Sequence, residues 1–221
     1  MDAGSIFLKD EMYRKILGLK LLEKMCFPIP PYCVIDIKGD APSNIEAYVL
    51  SKIREVCVPI ISGDRVGVTI RVSLPGDLDK IAKHGGLHLT DEQEILKRVL
   101  EKYRRYGTQA KIIIQHTVDA KCSGTILKEN DDYLVVEAIP GDAPALLEGV
   151  AKEYERWVYT VHNQEWRKDR AYTKNGEMNL LEMYELKNLQ SYAQKLVGNA
   201  YLEWSIAKNG KIYFYEYYLL K

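Results

Sequence analysis

Tyr201-Leu-Glu-Trp-Ser-Ile-Ala207, Lys208-Asn-Gly-Lys211 and Ile212-Tyr-Phe-Tyr-Glu-Tyr-Tyr218 follow one another directly in this chain. Asn-Gly between two apolar, β-branched and aromatic runs is a strong hairpin signal, because both residues tolerate the positive φ of a type I′ turn. With Asn209-Gly210 as a two-residue loop, Lys208 pairs with Lys211, Ser205 with Phe214 and Glu203 with Glu216. Carboxylates at a directly opposed cross-strand pair repel, by roughly 3 kcal/mol at ~5 Å and an effective dielectric of about 20. A divalent cation converts that repulsion into affinity, since hard ions such as Mg²⁺ are held by one or two carboxylates together with phosphate oxygens. The stretch therefore predicts antiparallel β-structure with a metal–nucleotide site at Glu203 and Glu216. Trp204, Tyr213, Tyr215 and Tyr217 are expected on the opposite face, as core.

Outward from the hairpin, the second half holds a strand at Lys111–Gln115 and a hairpin from Gly124–Leu127 to Tyr133–Ala138. A short helix at Ala145–Val150, strands near Arg156–His162 and a helix at about Leu181–Leu196 complete it. The first half opens on an amphipathic helix from Asp10 to Met25, with Met12, Ile16, Leu19, Leu22 and Met25 at helical spacing. Phe27-Pro-Ile-Pro-Pro31 must be extended, because each proline fixes φ and disfavours the α region for its predecessor. A strand at Cys33–Ile37 follows, and then a helix opened by the capping box Ser43-Asn-Ile-Glu46. Val66, Val68, Ile70 and Val72 alternate with Gly67, Thr69, Arg71 and Ser73, the pattern of a half-buried strand. Residues 74–90 read as a polar loop, and Thr90-Asp-Glu-Gln93 opens a helix carrying Ile95, Val99 and Tyr103 to the core. Strands mixed with helices, without regular βα alternation, predict an α+β fold over a doubly wound one.

Length and composition narrow the classes. A chain of 221 residues fits one large domain or two lobes. Lys+Arg 31 balances Asp+Glu 31, so no global field attracts nucleic acid or an anionic membrane, and neither is expected as a partner. No apolar run approaches the roughly 18 residues of a membrane-spanning helix, and the start Met1-Asp-Ala-Gly-Ser-Ile lacks a basic secretory signal. Cys26, Cys33, Cys57 and Cys122 are scattered without Cys-x-x-Cys, which reads as reduced, buried thiols of a cytoplasmic protein.

These pieces occur in an order that resembles the ATP-grasp nucleotide-binding domain of phosphoenolpyruvate synthase and pyruvate phosphate dikinase. The run Lys15-Ile-Leu-Gly-Leu-Lys-Leu-Leu-Glu-Lys-Met-Cys-Phe-Pro-Ile-Pro-Pro31 is similar to that family's Lys-x-x-Asn-Leu block and its Gly-Phe-Pro-Val-Pro-Pro. Ile70-Arg-Val-Ser73 resembles Val-Arg-Ser-Ser, and Ile114-Gln-His-Thr117 with Ser123-Gly-Thr125 resembles Val-Gln-x-Met with Ser-Gly-Val. Glu137-Ala138 resembles the strand before Gly-Leu-Gly-Glu, and Tyr201-Leu-Glu-Trp204 with Tyr215-Glu-Tyr-Tyr218 resembles Asp-Ile-Glu-Trp and the hairpin ending Ala-Arg-Pro.

The resemblance implies an ATP-grasp-like fold of two lobes, each a mixed or antiparallel sheet with packed helices, here divided as 1–108 and 109–221. It implies ATP and Mg²⁺ as cofactors, bound between the lobes. Lys15, Arg71, Gln115 and Glu137 become nucleotide contacts, Arg71 also the catalytic cation on the phosphoryl group, and Glu203 and Glu216 the metal ligands. Departures accompany it: Tyr13 and Arg14 replace the glycines before the lysine, Gly141-Asp-Ala-Pro144 replaces Gly-Leu-Gly-Glu, Tyr201 replaces an Asp, and Tyr218 replaces the arginine. The swivelling phosphohistidine domain and the phosphoenolpyruvate barrel have no counterpart here.

Each residue has a plainer reading. Glu203 and Glu216 could splay into water, Lys15 could pair with Glu11 one turn away, Arg71 could be a solvated strand charge, and Gln115 could only satisfy backbone groups. His84 and His88 flank Gly85-Gly86, a poor frame for zinc but able to cover phosphates with backbone amides. Glu165–Arg170 reads as a solvated turn. The leading expectation is a phosphotransferase, or its nucleotide-binding subunit, acting on a small molecule or on an acceptor carried by a companion polypeptide. The alternatives are a degenerate ATP-grasp protein serving as nucleotide sensor or scaffold, and an ATP-dependent carboxylate–amine ligase.

Overall fold

In a computed structural model of the chain, the described residues are 13–37, 44–57, 61–62, 65–81, 86–129, 132–142, 151, 154–169 and 178–220. They form two antiparallel sheets with four α-helices, as the irregular mixture of strand and helix patterns predicts. Two compact units divide the chain: Met1–Leu17 with Pro30–Val118, and Gly18–Ile29 with Asp119–Lys221.

The first unit is built on β1 (Tyr32–Asp36), β2 (Ile61–Ser62), β3 (Arg65–Ser73), β4 (Gly86–Leu89) and β5 (Lys111–Val118), in the order β1-β5-β3-β2 with β4 also paired to β3. Because β5 pairs with both β1 and β3, the chain leaves this unit at 118/119 and not at 108/109. Alternation puts Cys33 and Ile35 of β1, Val68 and Ile70 of β3, and Ile112 and Ile114 of β5 on one face. Two helices cover that face: α2 (Ile45–Cys57) with Val49 and Ile53, and α3 (Glu92–Tyr106) with Ile95, Leu96, Val99 and Leu100. The residue that caps each helix lies one place beyond the position expected. Asn44 Oδ1 accepts the Ala47 N–H at 3.0 Å, and Asp91 Oδ1 accepts the Glu94 N–H at 2.8 Å. A carboxylate is the stronger acceptor for these orphan amides, which explains Asp91 over Thr90. The stretch expected as a loop, 74–90, contains a 3₁₀ turn at Gly76–Ile81 and strand β4.

The second unit carries β6 (Ala120–Glu129), β7 (Tyr133–Pro140), β8 (Glu155–Thr160), β9 (Glu165–Lys168), β10 (Ala200–Ala207) and β11 (Ile212–Leu219), in the order β11-β10-β6-β7-β8-β9. Its apolar face collects Ile126, Val136, Leu202, Trp204, Phe214 and Tyr217 under Leu186, Leu189 and Ala193 of α4 (Met183–Ala193), with Leu22 and Phe27. Leu22 comes from α1 (Arg14–Lys24), whose Ile16, Leu19 and Leu22 are buried as the spacing predicts. Gly124 is indispensable on this face. A Cβ there would lie 1.7 Å from the Glu137 carbonyl oxygen and 2.8 Å from the Trp204 ring.

Glu155, fully buried, accepts the Leu180 N–H at 2.6 Å and the Trp157 indole N–H, with Lys168 Nζ at 3.4 Å. That network anchors the approach to α4. The stretch expected as a solvated turn at Glu165–Arg170 contains β9, where Trp166 is buried against the Tyr159 ring at 5.2 Å. The helix expected at Ala145–Val150 and the residues Ser43, Cys57 (side chain), His84 and Arg170 lie outside what is described.

Candidate functional site

The hairpin of β10 and β11 places Glu203 opposite Glu216, by a different route from the one its sequence suggests. The loop has three residues. Ala207 N–H donates to Lys211 O at 2.8 Å, and Gly210 N–H donates to Ala207 O at 2.8 Å. Gly210 is left-handed at φ 83° while Asn209 is not in that region, so the bend is a type I turn followed by a left-handed glycine, not a type I′ turn. The longer loop displaces the register by one: Ser205 faces Tyr213 and Trp204 faces Phe214. A bulge between Glu203 and Trp204 then absorbs Tyr215 and returns Glu203 to Glu216. As a result Phe214 and Tyr217 join Trp204 in the core, whereas Tyr213 stands in the row of Ser205.

The outward face of this sheet is read row by row from the pairing. Glu216, Glu203, Thr125, Glu137 and Arg156 follow one another across five strands. Thr125 Oγ1 donates to Glu137 Oε2 at 3.4 Å, and Arg156 Nε lies 3.9 Å from Glu137 Oε1 and 4.0 Å from Asp169 Oδ2. Glu137 thus belongs to the same face as the paired glutamates, with an arginine on its far side. The next row carries Tyr201 and Tyr218, stacked at 4.6 Å between ring centroids. The Tyr201 hydroxyl donates to Glu203 Oε1 at 3.5 Å. Burial pushes that phenol far above its ordinary range, reinforced by the charges of Glu203, Tyr218 and Glu216. Glu216, across from Glu203, is only 3% exposed.

Two facing carboxylates, one of them buried, suit a hard divalent cation. Among the described residues no group of three or more His, Cys, Asp or Glu is arranged to hold a metal. The donor set fits an ion that completes its shell with phosphate or water oxygens, as Mg²⁺ does, better than an ion enclosed by protein alone.

In the first unit, the expected cations face away from the packed core. Thr69, Arg71 and Ser73 alternate with the buried Val68, Ile70 and Val72. Arg71 is 4% exposed, so it is not a solvated strand charge. Its Nη1 donates to Gln115 Oε1 at 3.4 Å, and beside them the Thr69 and Thr117 hydroxyls meet at 2.7 Å. The structure brings Arg71 and Gln115 together. Gln115 Nε2 and Ser73 Oγ are buried with no hydrogen-bond partner in the protein. Lys15 forms a buried ion pair with Asp79, Nζ to Oδ2 at 2.7 Å, while Asp79 Oδ1 accepts the Leu74 N–H at 2.9 Å. Glu11, the neighbour expected for Lys15, lies outside the described residues.

The remaining candidates are structural. Burial raises the Cys33 thiol to about 11 and the Cys122 thiol to about 12, which keeps both protonated and inert. His116 is buried with Nε2 3.0 Å from Val56 O, and His88 and His162 are exposed. No helix among the described residues is long and apolar enough to cross a membrane.

No family model matches this sequence, and no curated protein matches it. Several solved structures are similar in fold. D-alanyl-alanine synthetase A from Vibrio cholerae O1 biovar eltor is 13% identical, with a TM-score of 0.47 over 93% of this chain and 55% of that one. The D-alanine–D-alanine ligase from Coxiella burnetii is 14% identical, with a TM-score of 0.46 over 93% and 47%. The ADP complex of N5-carboxyaminoimidazole ribonucleotide synthetase is 11% identical, with a TM-score of 0.49 over 94% and 45%. The chain spans about half the length of each of these solved chains.

Proposed function

We propose that this chain is an ATP-grasp-like protein that binds Mg-ATP and uses it for group transfer. The observation that carries the reading is the register pairing of Glu203 with Glu216 on one outward sheet face, in one row with Glu137. Glu203 and Glu216 are the residues that would hold Mg²⁺, and the ion would supply charge neutralisation on the phosphate oxygens. Glu137, in the same row, would orient the nucleotide. Lys15 and Arg71 are assigned to phosphate charge and Gln115 to the base, on the resemblance of Lys15–Pro31, Ile70–Ser73 and Ile114–Thr117 to the nucleotide-binding blocks of that fold family. Arg71 suits the role physically, since a guanidinium presents donors in a fixed fork to an oxyanion, and the buried Gln115 carbonyl limits its rotation. Transfer of this kind rests on positioning and charge more than on a side-chain nucleophile.

Mg-ATP titrated into wild type and into the Glu203→Gln/Glu216→Gln variant tests the reading. Binding is expected to weaken at least tenfold in the variant, and equal affinity in both would remove the metal site. Phosphoryl transfer and carboxylate–amine ligation share this site. Hydroxylamine trapping of an acyl phosphate separates them, because only ligation passes through one. A non-catalytic sensor is the second reading, favoured by the Tyr201–Tyr218 stack where the resemblance implies an arginine. It predicts Mg-ATP binding without release of ADP, AMP or phosphate.

A further inference from the structure

Asp79 is held as an oxyanion is held. An ammonium donates to one carboxylate oxygen and a backbone N–H to the other, at 2.7 Å and 2.9 Å, and the carboxylate is 4% exposed. Charge-assisted donors of these two kinds are the ones that receive a phosphate. Next in the chain to the donating Leu74 amide is Ser73, whose hydroxyl is fully buried and has no hydrogen-bond partner in the protein. Buried polar atoms without partners are rare in folded proteins and call for a specific cause. At the Leu74 end of β3 the unmatched Ser73 hydroxyl adjoins the residue that donates to this ammonium–carboxylate pair, and the negative member of the set belongs to the protein itself.

We propose that Asp79 is an internal stand-in for a ligand's phosphate, occupying Lys15 until the phosphate of Mg-ATP displaces it. The inference rests on the reading of Lys15 as a phosphate-binding lysine. A lysine neutralised by a carboxylate at 2.7 Å presents little net field to an anion, so a phosphate gains Lys15 only by exchange. The exchange frees the Leu74 amide and the 3₁₀ turn that Asp79 anchors, Gly76–Ile81. Nucleotide binding is then coupled to loosening of this segment, and the affinity observed is lowered by the fraction of molecules in which Asp79 holds the lysine.

Asp79→Asn keeps an acceptor for Leu74 and removes the competing charge. Its Mg-ATP affinity is expected to rise about tenfold, the change produced when a competing state of tenfold excess is removed, whereas Lys15→Met loses affinity with or without Asp79. In wild type, hydrogen exchange at the Leu74 amide and across 76–81 is expected to quicken when Mg-ATP is added. Affinity in Asp79→Asn equal to or below wild type, with its thermal midpoint retained, overturns the proposal. So does unchanged or slowed exchange at Leu74, which decides the matter alone if Asp79→Asn does not fold. If neither wild type nor Asp79→Asn binds Mg-ATP, the functional reading and this inference fall together. If wild type binds and Glu203→Gln/Glu216→Gln does not, but Asp79→Asn and the exchange are unmoved, only the inference falls.

Discussion

His116 is 1% exposed on β5, its Nε2 directed at the carbonyl of Val56 near the end of α2 and its Nδ1 buried without a partner. Burial lowers its pKa; the Val56 hydrogen bond opposes that shift and the charge of Arg65 adds to it. The folded protein therefore holds the ring neutral, while an unfolded chain protonates it near the ordinary value of about 6.5. As pH falls through that value the unfolded state takes up its proton first, and stability drops until the folded value is reached. Above about pH 6.5 the contribution is fully present. Wild type is expected to lose more stability than His116→Gln between pH 7.5 and 5.5 in urea unfolding. Parallel slopes would show that the histidine does not titrate on unfolding. Single residues were the least legible level of this sequence. Lys15 could be singled out from its spacing, but its partner Asp79 lies 64 positions away, and nothing local in Leu74–Asp79 marks that carboxylate as buried. Arg71 was ambiguous for a related reason: alternation assigns it to the face away from the core, and only the fold reveals that this face is also covered.

At the level of elements, the hairpin was legible in outline and misread in detail. Asn-Gly correctly marks the bend, yet Lys208-Asn-Gly supports a three-residue loop as well, with only the glycine left-handed. The single-residue error this introduces is cancelled by the bulge at Tyr215, so the opposed glutamates came out right while Ser205, Trp204 and Tyr213 did not. The loop geometry makes a prediction. Gly210→Ala must adopt φ near 83°, which costs an L-residue about 1–2 kcal/mol, whereas Gly210→Asn should cost less than half of that because asparagine tolerates this region. Chemical denaturation of the two variants checks the order; equal and negligible effects would restore a loop without a strained position. Strand β9 was missed because Glu165, Arg167 and Lys168 are charged and only Trp166 packs inward, the composition of an edge strand. Strand β4 was missed because four residues give a period-two pattern too little length to register.

Across the whole molecule, class was easier to read than division. The alternating run of β3 and the apolar run of β5 mark strands, and the capped helices supply the rest of the α+β layout. The division at 118/119 was not visible, since β5 and β6 are separated by Asp119 alone and no change of composition marks the passage. Composition does support a colloidal prediction. With 31 basic and 31 acidic residues and an isoelectric point near 6.9, the molecule has almost no net charge at neutral pH. Self-association is strongest under that condition. Precipitation by polyethylene glycol is expected to need the least precipitant near pH 7 and more at pH 5.5 or 8.5. A threshold flat across that range would indicate local patches governing solubility.

The extra residue in β11 also sets what mutations the hairpin can accept. Facing is a matter of parity in a strand, and Phe214 and Tyr217, three positions apart, share the core face only because Tyr215 is an extra residue. Amino-acid replacements along this strand change one contact at a time. Deleting residue 215 would remove the bulge and leave Phe214, Glu216 and Tyr217 in their registers, whereas deleting residue 217 would remove that ring and slide Glu216 or Tyr218 towards the place where it packs. One residue of length is spare at the bulge, a slack that a regular strand does not have.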